Sequence, residues 1–180
     1  MRRASSSGFS LAEILVAIAV LGLLMALGMP SYMTWIQNTQ IRTAAEAILA
    51  GLQTAKNEAI RRNAAIQFKL VNGTANSKWA VNLFTDPDRD PPLFGREAEE
   101  GSPNATVVLT PGGADTVTFS ALGRVITNAD ASPSLAQVLV DNPRIAVADR
   151  RTLQILIPTG GAIRLCDPKV LAGDPRTCNP

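Results

Sequence analysis

The chain has 180 residues, and its 17 lysines and arginines against 15 acidic residues give a formal net charge of +2. It contains no histidine, which excludes serine–histidine and cysteine–histidine nucleophile pairs and histidine-based metal sites. The near-neutral charge provides no global basic field for nucleic-acid binding. No Ser-Lys or carboxylate pair has a catalytic spacing either, so we expect a protein that is not an enzyme and needs no cofactor. The length of the chain allows one small domain.

An apolar stretch lies near the N-terminus, from Phe9 to Met29. It holds about 21 residues, enough for a helix that rises about 1.5 Å per residue to cross a hydrocarbon core of about 30 Å. We therefore expect residues 9–30 to span a membrane. Glu13 is the one charge inside this stretch, and because a carboxylate in lipid is costly, it should have a partner and a function.

The residues before this stretch complete a specific pattern, with Arg2 and Arg3 followed by small polar residues and Gly8. Together with the segment from Phe9 to Glu13, they resemble the class III signal of type IV pilins and type II secretion pseudopilins. The resemblance implies that a prepilin peptidase removes the leader, residues 1–8, by cutting after Gly8, and that the new N-terminal Phe9 is methylated. Without the two leader arginines, 15 basic residues face 15 acidic ones, so the mature protein is neutral.

Two other interpretations of the apolar stretch are weaker. An ordinary secretory signal peptide would be cleaved near Ala26 and Gly28, but its apolar region would be shorter and would avoid Glu13. A plain single-span anchor explains the length and leaves Glu13 without a function. Under the pilin-type interpretation, the basic leader predicts an inner-membrane protein with a cytoplasmic N-terminus and a periplasmic head, which then moves into a pilus or pseudopilus.

The same resemblance implies a role for Glu13. In the family this glutamate pairs with the N-terminal amine of a neighbouring subunit, here that of Phe9, and each charge offsets the cost of the other in lipid. The implied partners are other pilins or pseudopilins, which pack through the N-terminal helix. The alternative is that the Glu13 carboxylate simply reaches the headgroups of the membrane.

Beyond the membrane stretch, the sequence predicts that the helix continues. Apolar residues recur every three or four positions, at Ile41, Ala45, Ile48, Leu52, Ala55 and Ala59. Glu58 precedes Arg62 by four residues, the spacing of a favourable helical ion pair. One helix should therefore run from near Phe9 to near Arg62, and its second half should lay an apolar stripe on a head formed by residues 63–180.

After Asn63 the apolar period changes from 3.6 to 2, which indicates strands. The predicted strands are 66–70, 79–83, 106–110, 116–120, 138–140, 145–147, 153–157 and 162–166, with a further extended piece at 123–126. The Pro-rich and acidic segment 85–104 is predicted to be a surface loop. The predicted fold class is α+β, a long N-terminal helix packed on an antiparallel β-sheet head.

Several head segments resemble the GspH/FimT family of minor pilins and pseudopilins. They are KWAVNLFTDPDRD, TVTFSALGRV and ILIPTGGAIRLCDP, together with the cysteine pair. The resemblance implies a pilin-like head of two small antiparallel sheets. It also implies a low-abundance subunit near the tip of a type IV pilus or a type II secretion pseudopilus, where it helps to initiate assembly. The sequence does not distinguish these two assemblies.

Cys166 and Cys178 are the only cysteines. In an extracytoplasmic domain such a pair favours a disulfide. We expect the bridge to hold down a polar C-terminal tail that has few apolar residues of its own.

Binding of extracellular DNA is an alternative function. DNA-binding FimT-like proteins carry a Gly-Arg-x-Arg motif on the final strand, and here the matching residues are Gly161, Ala162, Ile163 and Arg164. Only the second arginine of the motif is present. Arg164, Lys169 and Arg176 are the candidate phosphate contacts, but a solvated basic tail is the favoured interpretation, so we expect weak or no DNA binding.

A second weak pattern is the alternation of Asp86, Asp88 and Asp90, which is similar to a calcium loop. Pro91 occupies the position where such a loop needs glycine, and no bidentate glutamate follows at the right distance. A solvated acidic loop is the favoured interpretation.

Overall fold

The computed structural model describes residues 9–71, 73 and 75–178. The described chain divides into two units, a first unit that ends at Ile36 and a second unit that begins at Gln37. One α-helix, α1 (Leu11–Arg62, 52 residues), contributes to both units. The predicted cleavage residue Gly8 lies outside the described part of the chain.

The helix begins with a capping box formed by Ser10 and Glu13. The Ser10 hydroxyl oxygen accepts a hydrogen bond from the Glu13 backbone N–H at 3.2 Å, and a Glu13 carboxylate oxygen accepts one from the Ser10 N–H at 3.4 Å. Because a capping residue is not itself helical, α1 starts at Leu11 and not at Phe9, a small correction to the predicted start.

In the first unit, the apolar side chains of α1 are exposed. An 18-residue window of the helix has a mean hydropathy of 2.5, and none of it is buried. By length and composition, α1 is able to cross a membrane. The helix continues through Pro30, whose carbonyl oxygen accepts a hydrogen bond from the Thr34 hydroxyl at 3.1 Å.

The second unit begins with the rest of α1, which ends in a Schellman motif. Asn63 has a positive φ of 49°, and the Ala64 N–H donates to the Ala59 carbonyl oxygen at 3.2 Å. The predicted ion pair between Glu58 and Arg62 is confirmed, with 2.7 Å between its charged atoms. Arg61 also contacts the Glu58 carboxylate, at 2.6 Å.

Two antiparallel sheets follow the helix. Their strands are β1 (Ile66–Leu70), β2 (Trp79–Leu83), β3 (Phe94–Arg96), β4 (Thr106–Thr110), β5 (Thr116–Phe119), β6 (Val125–Ile126), β7 (Gln137–Asp141), β8 (Leu153–Leu156) and β9 (Arg164–Cys166). The first sheet has the order β3-β2-β1-β5-β6, and the second has the order β4-β7-β8-β9. The predicted fold class, a long helix on an antiparallel head with two small sheets, is confirmed.

The apolar stripe of α1 forms one core with the inner faces of both sheets. Every residue of the predicted stripe is fully buried, together with Phe68, Phe119, Val138 and Ile155 of the strands. Gly51 lies on the same stripe, and a side chain there would come within 2.8 Å of ring atoms of both Phe68 and Trp79. The small residues of the helix therefore let the aromatic strands approach closely.

The prediction of a strand at 145–147 was wrong, because this segment is a turn. Side chains satisfy its backbone where a neighbouring strand would otherwise do so. The Asn142 side-chain oxygen accepts from the Arg144 N–H at 3.0 Å, and the Arg150 guanidinium donates to the Ile145 and Pro143 carbonyl oxygens at 2.7 and 3.3 Å. The alternation of apolar residues does not show that side chains, and not a neighbouring strand, bond to this backbone.

Several strand bounds differ from the prediction by one or two residues, and two larger differences concern the segment 85–104 and the last strand. The segment 85–104, predicted as a loop, contains the short strand β3, which pairs with β2 so that Gly95 lies opposite Ala80. The last strand begins at Arg164 and not at 162, because Gly161 has a positive φ of 77° and ends a turn.

Candidate functional site

The N-terminal candidate residues, Phe9 and Glu13, lie at the start of α1. Phe9 is exposed and precedes the helix, and Glu13 is exposed in the first helical turn. A carboxylate in the first turn is favoured by the positive end of the helix dipole. Its hydrogen bond to the Ser10 N–H is long at 3.4 Å, so the first turn orients the carboxylate and leaves it accessible to a cation of another chain.

Cys166 and Cys178 form a disulfide in the structure, with 5.0 Å between their Cα atoms. Within the loop that the disulfide closes, the Asp167 N–H donates to the Arg176 carbonyl oxygen at 2.8 Å. Asp167 and Thr177 also form a parallel bridge. The tail is therefore attached to the end of β9 by one covalent bond and by backbone pairing.

The three candidate DNA contacts each have a partner within the protein. Arg176 makes two hydrogen bonds to the Asp174 carboxylate, at 2.8 and 3.1 Å. The Lys169 ammonium donates to the Val147 and Arg150 carbonyl oxygens at 3.3 and 2.7 Å.

The third candidate, Arg164, donates to the Cys178 carbonyl oxygen at 3.2 Å. The Arg176 guanidinium lowers the pKa of Asp174 to about 2, chiefly through the side-chain hydrogen bond. These partners hold the cationic groups to the tail and the adjacent turn, and Asp174 neutralises Arg176.

The glycine of the partial Gly-x-x-Arg pattern has a structural role. A side chain on Gly161 would lie 1.9 Å from the Gly123 carbonyl oxygen, and the positive φ of Gly161 disfavours any other residue. The Lys56 ammonium donates to the Gly161 carbonyl oxygen at 2.9 Å. Sequence analysis missed Lys56, although a lysine beside an apolar helical stripe is a recognisable signal.

A network of uncharged amides, the amide clamp, joins the start of the second unit to two loops, β3–β4 and β7–β8, and sequence analysis missed it as well. The Gln37 side-chain oxygen accepts from the side-chain amides of Asn142 at 2.8 Å and Asn104 at 3.3 Å. Asn38 donates to the Asp149 carbonyl oxygen at 3.0 Å and accepts from the Arg151 N–H at 2.9 Å. The amide side chains in the segment from Gln37 to Gln40 were the sequence signal for this amide clamp.

The acidic loop covers the outer face of the first sheet. Asn82 holds it there by donating to the Pro87 and Arg89 carbonyl oxygens at 2.9 and 3.3 Å. A cavity of about 570 Å³ lies beside the loop, and three ion pairs line it, one of them between Lys78 and Glu97 at 2.9 Å. Among residues 9–71, 73 and 75–178, no three acidic or cysteine side chains are grouped so that they could hold a metal ion.

Comparison with known proteins identifies both parts of the chain. Residues 44–177 match the family profile described as Type II transport protein GspH, and residues 3–29 match the profile of the prokaryotic N-terminal methylation motif. No curated protein sequence matches this chain.

The solved structures that resemble the fold include the type IV minor pilin FimU of Pseudomonas aeruginosa strain PAO1, in two crystal forms. The P21 form has a TM-score of 0.53 and 19% identity, over 69% of this chain and 87% of the FimU chain. The P65 form has a TM-score of 0.51 and 19% identity, over 69% and 90%. These structures share the pilin fold, and the profile match over most of the head shows that the chain belongs to the GspH family of type II transport proteins.

Proposed function

We propose that this chain is a minor pilin or pseudopilin subunit that acts near the tip of a type IV pilus or a type II secretion pseudopilus and helps to initiate its assembly. Residues 9–30 anchor it in the inner membrane, with the N-terminus in the cytoplasm and the head, residues 63–180, in the periplasm. The observation that carries the proposal is an exposed apolar helix with the Glu13 carboxylate in its first turn, in a protein of the GspH family.

The N-terminus supports processing by a prepilin peptidase. The methylation-motif match covers residues 3–29, and Phe9 is exposed ahead of the first helical residue, Leu11. A peptidase and a methylating enzyme therefore have access to Phe9 without unwinding the helix. Cleavage between Gly8 and Phe9 releases residues 1–8 and leaves an N-methylated phenylalanine at the N-terminus.

The Glu13 carboxylate then pairs with the Phe9 amine of a neighbouring subunit. Among residues 9–71, 73 and 75–178, the one hydrogen bond that this carboxylate accepts is the long bond from the Ser10 N–H. A bond between an ammonium group and a carboxylate joins two full charges and is about 2.7–2.9 Å long, shorter than the bond to the Ser10 N–H. In lipid, each charge offsets the desolvation cost of the other, so this exchange favours subunit packing and fixes the axial register of the helices.

Mass spectrometry of the mature N-terminus and an incorporation assay test this proposal. The mature chain should begin with methylated Phe9, and Glu13→Ala should enter the membrane yet fail to join filaments. Ser10→Ala is the matched control, because it removes the capping hydroxyl and keeps the carboxylate. A mature chain that begins at Met29, or normal incorporation of Glu13→Ala, contradicts the proposal.

No specific contact favours extracellular DNA as the ligand of this protein. Arg164, Lys169 and Arg176 bond to groups of the tail and the adjacent turn, and the other arginine of the DNA-binding motif is replaced by Ala162. Assembly is therefore the function that we propose.

A further inference from the structure

Two aromatic side chains, Tyr32 and Trp35, form a stacked pair on one face of α1. Their ring centroids are 6.0 Å apart and their planes differ by 24°. Both rings are exposed, with 59% of Tyr32 and 63% of Trp35 accessible. Both lie in the unit formed by residues 1–36. The pair is too exposed to be part of a protein core, so core packing does not account for two large aromatic rings at these positions.

The position of the pair along the helix indicates its partner. The apolar run ends at Met29, and polar uncharged residues such as Ser31 and Thr34 begin immediately after it. Tyrosine and tryptophan favour the level of the lipid headgroups, because each has a large apolar ring and a polar atom that remains hydrated. The rings therefore occur where an interfacial residue would be most stable.

We propose that the Tyr32–Trp35 pair binds the headgroup region of the periplasmic leaflet and thereby sets the depth of α1 in the membrane. This inference rests on the proposed membrane insertion of residues 9–30. Two rings on one helix face act together, so sliding the helix inward or outward moves both of them away from the interface. The partner is the phospholipid surface and not a second protein.

This depth determines where Glu13 lies. At about 1.5 Å per residue, Tyr32 and Trp35 are about 28 and 33 Å along the helix axis from Glu13, close to the hydrocarbon thickness of about 30 Å. With the rings at the periplasmic interface, the Glu13 carboxylate lies at the cytoplasmic edge of the hydrocarbon core. A charge there costs much less than one at the centre, and it remains available to a neighbouring amine.

Tryptophan fluorescence of the full chain in phosphatidylcholine vesicles tests the position of the rings. Lipids brominated close to the headgroup should reduce the fluorescence more than lipids brominated near the chain ends. The only other tryptophan, Trp79, is 8% exposed in the head core and gives a constant background. Trp35→Phe is the matched control and should lose the lipid-dependent part of the signal. Stronger quenching from the chain ends overturns the proposal.

A second measurement tests whether the rings set the depth. A thiol introduced by Ala12→Cys is the only free one, because Cys166 and Cys178 are joined, and it can carry a polarity-sensitive dye next to Glu13. In the Tyr32→Leu/Trp35→Leu variant, the two leucines enter the hydrocarbon and the start of the helix moves out towards the cytoplasm, so the dye emission should shift to longer wavelength. The same dye at Leu23→Cys, in the middle of the span, should not shift.

The outcomes separate this inference from the proposed function. Unchanged dye emission in the double leucine variant overturns the depth-setting role and leaves the membrane span intact. Failure of the wild-type chain to float with vesicles overturns the membrane span itself, and with it both proposals.

Discussion

The Lys56 ammonium donates a hydrogen bond of 2.9 Å to the Gly161 carbonyl oxygen, and this bond joins α1 to the turn that precedes β9. Gly161 also lies against the Gly123 carbonyl oxygen. Three segments that are distant in sequence, the helix, the β5–β6 turn and the β8–β9 turn, therefore meet at one glycine.

This contact predicts that Gly161→Ala strongly destabilises the head. The new Cβ would lie 1.9 Å from the Gly123 carbonyl oxygen, at a φ of 77° that disfavours alanine. We expect the free energy of unfolding to fall by about 3 kcal/mol, from backbone strain and overpacking together. Urea unfolding of the fragment 36–180, which contains the second half of α1 and the head, measures this. Gly160→Ala is the matched control, because nothing lies within 4 Å of its Cβ position; an equal effect of both substitutions contradicts the prediction.

The disulfide between Cys166 and Cys178 should stabilise the C-terminal tail. In the chain-entropy model, a loop of this length contributes about 3 kcal/mol to the free energy of unfolding. Thiol labelling of the unreduced, denatured protein should find no reactive cysteine, and Cys166→Ser/Cys178→Ser should unfold at a lower urea concentration. Two reactive thiols in the native preparation would refute the bridge.

The end of α1 should lose stability in acid. Hydrogen bonds from Arg61 and then Arg62 lower the pKa of Glu58 from 4.5 to about 2. A carboxyl whose pKa is lower in the folded state stabilises the fold above the unfolded value, and this contribution is lost as the pH falls. The free energy of unfolding should therefore decrease between about pH 4.5 and 2.

Glu58→Gln tests this assignment. The variant should be less stable at neutral pH and should show a shallower decrease in acid. Asp174→Asn provides a comparison, because the pKa of Asp174 is also lowered, by Arg176, but at the exposed tail and far from α1 in sequence. A Glu58→Gln profile parallel to that of the wild type would rule out Glu58 as the source of the pH dependence.

Duplex DNA should bind weakly or not at all to the fragment 36–180 at a salt concentration of about 150 mM, where exposed charges are screened beyond about 8 Å. Arg176 is neutralised by Asp174, and Lys169 bonds to two carbonyl oxygens. A fluorescence titration measures the affinity. Tight and salt-sensitive binding that disappears in Arg164→Ala/Arg176→Ala would make DNA uptake the leading function.

The parts of the fold that depend on local periodicity could be predicted from the sequence. The stripe from Ile41 to Ala59 predicted the buried face of α1, because burial on a helix follows the 3.6-residue period. The same kind of pattern failed at 145–147, where Arg150 and Asn142 bond the backbone. Those bonds depend on where two side chains lie in the folded turn, which a pattern of apolar residues does not specify.

The candidate site residues also divide into those that a local sequence pattern indicates and those that depend on the folded structure. Glu13 was identified from its chemistry, since a carboxylate inside an apolar stretch requires an explanation. The contact between Lys56 and Gly161 joins residues that are 105 positions apart, and no local pattern contains that information. The positive φ of Gly161 likewise arises from the turn around it, and so the sequence offered the glycine only as part of a weak motif.

The amide clamp has a mechanical consequence. In the filament that we propose, the subunit is pulled along its axis, and any force that reaches Gln37 and Asn38 enters the unit 37–180 at these two residues. Their side chains bond to Asn104, to Asn142 and to the backbone at 149–151. The force is therefore divided among several hydrogen bonds. Because these bonds share the load, they oppose the separation of the loops from α1. Since amides carry no charge, this resistance should not change with pH or salt.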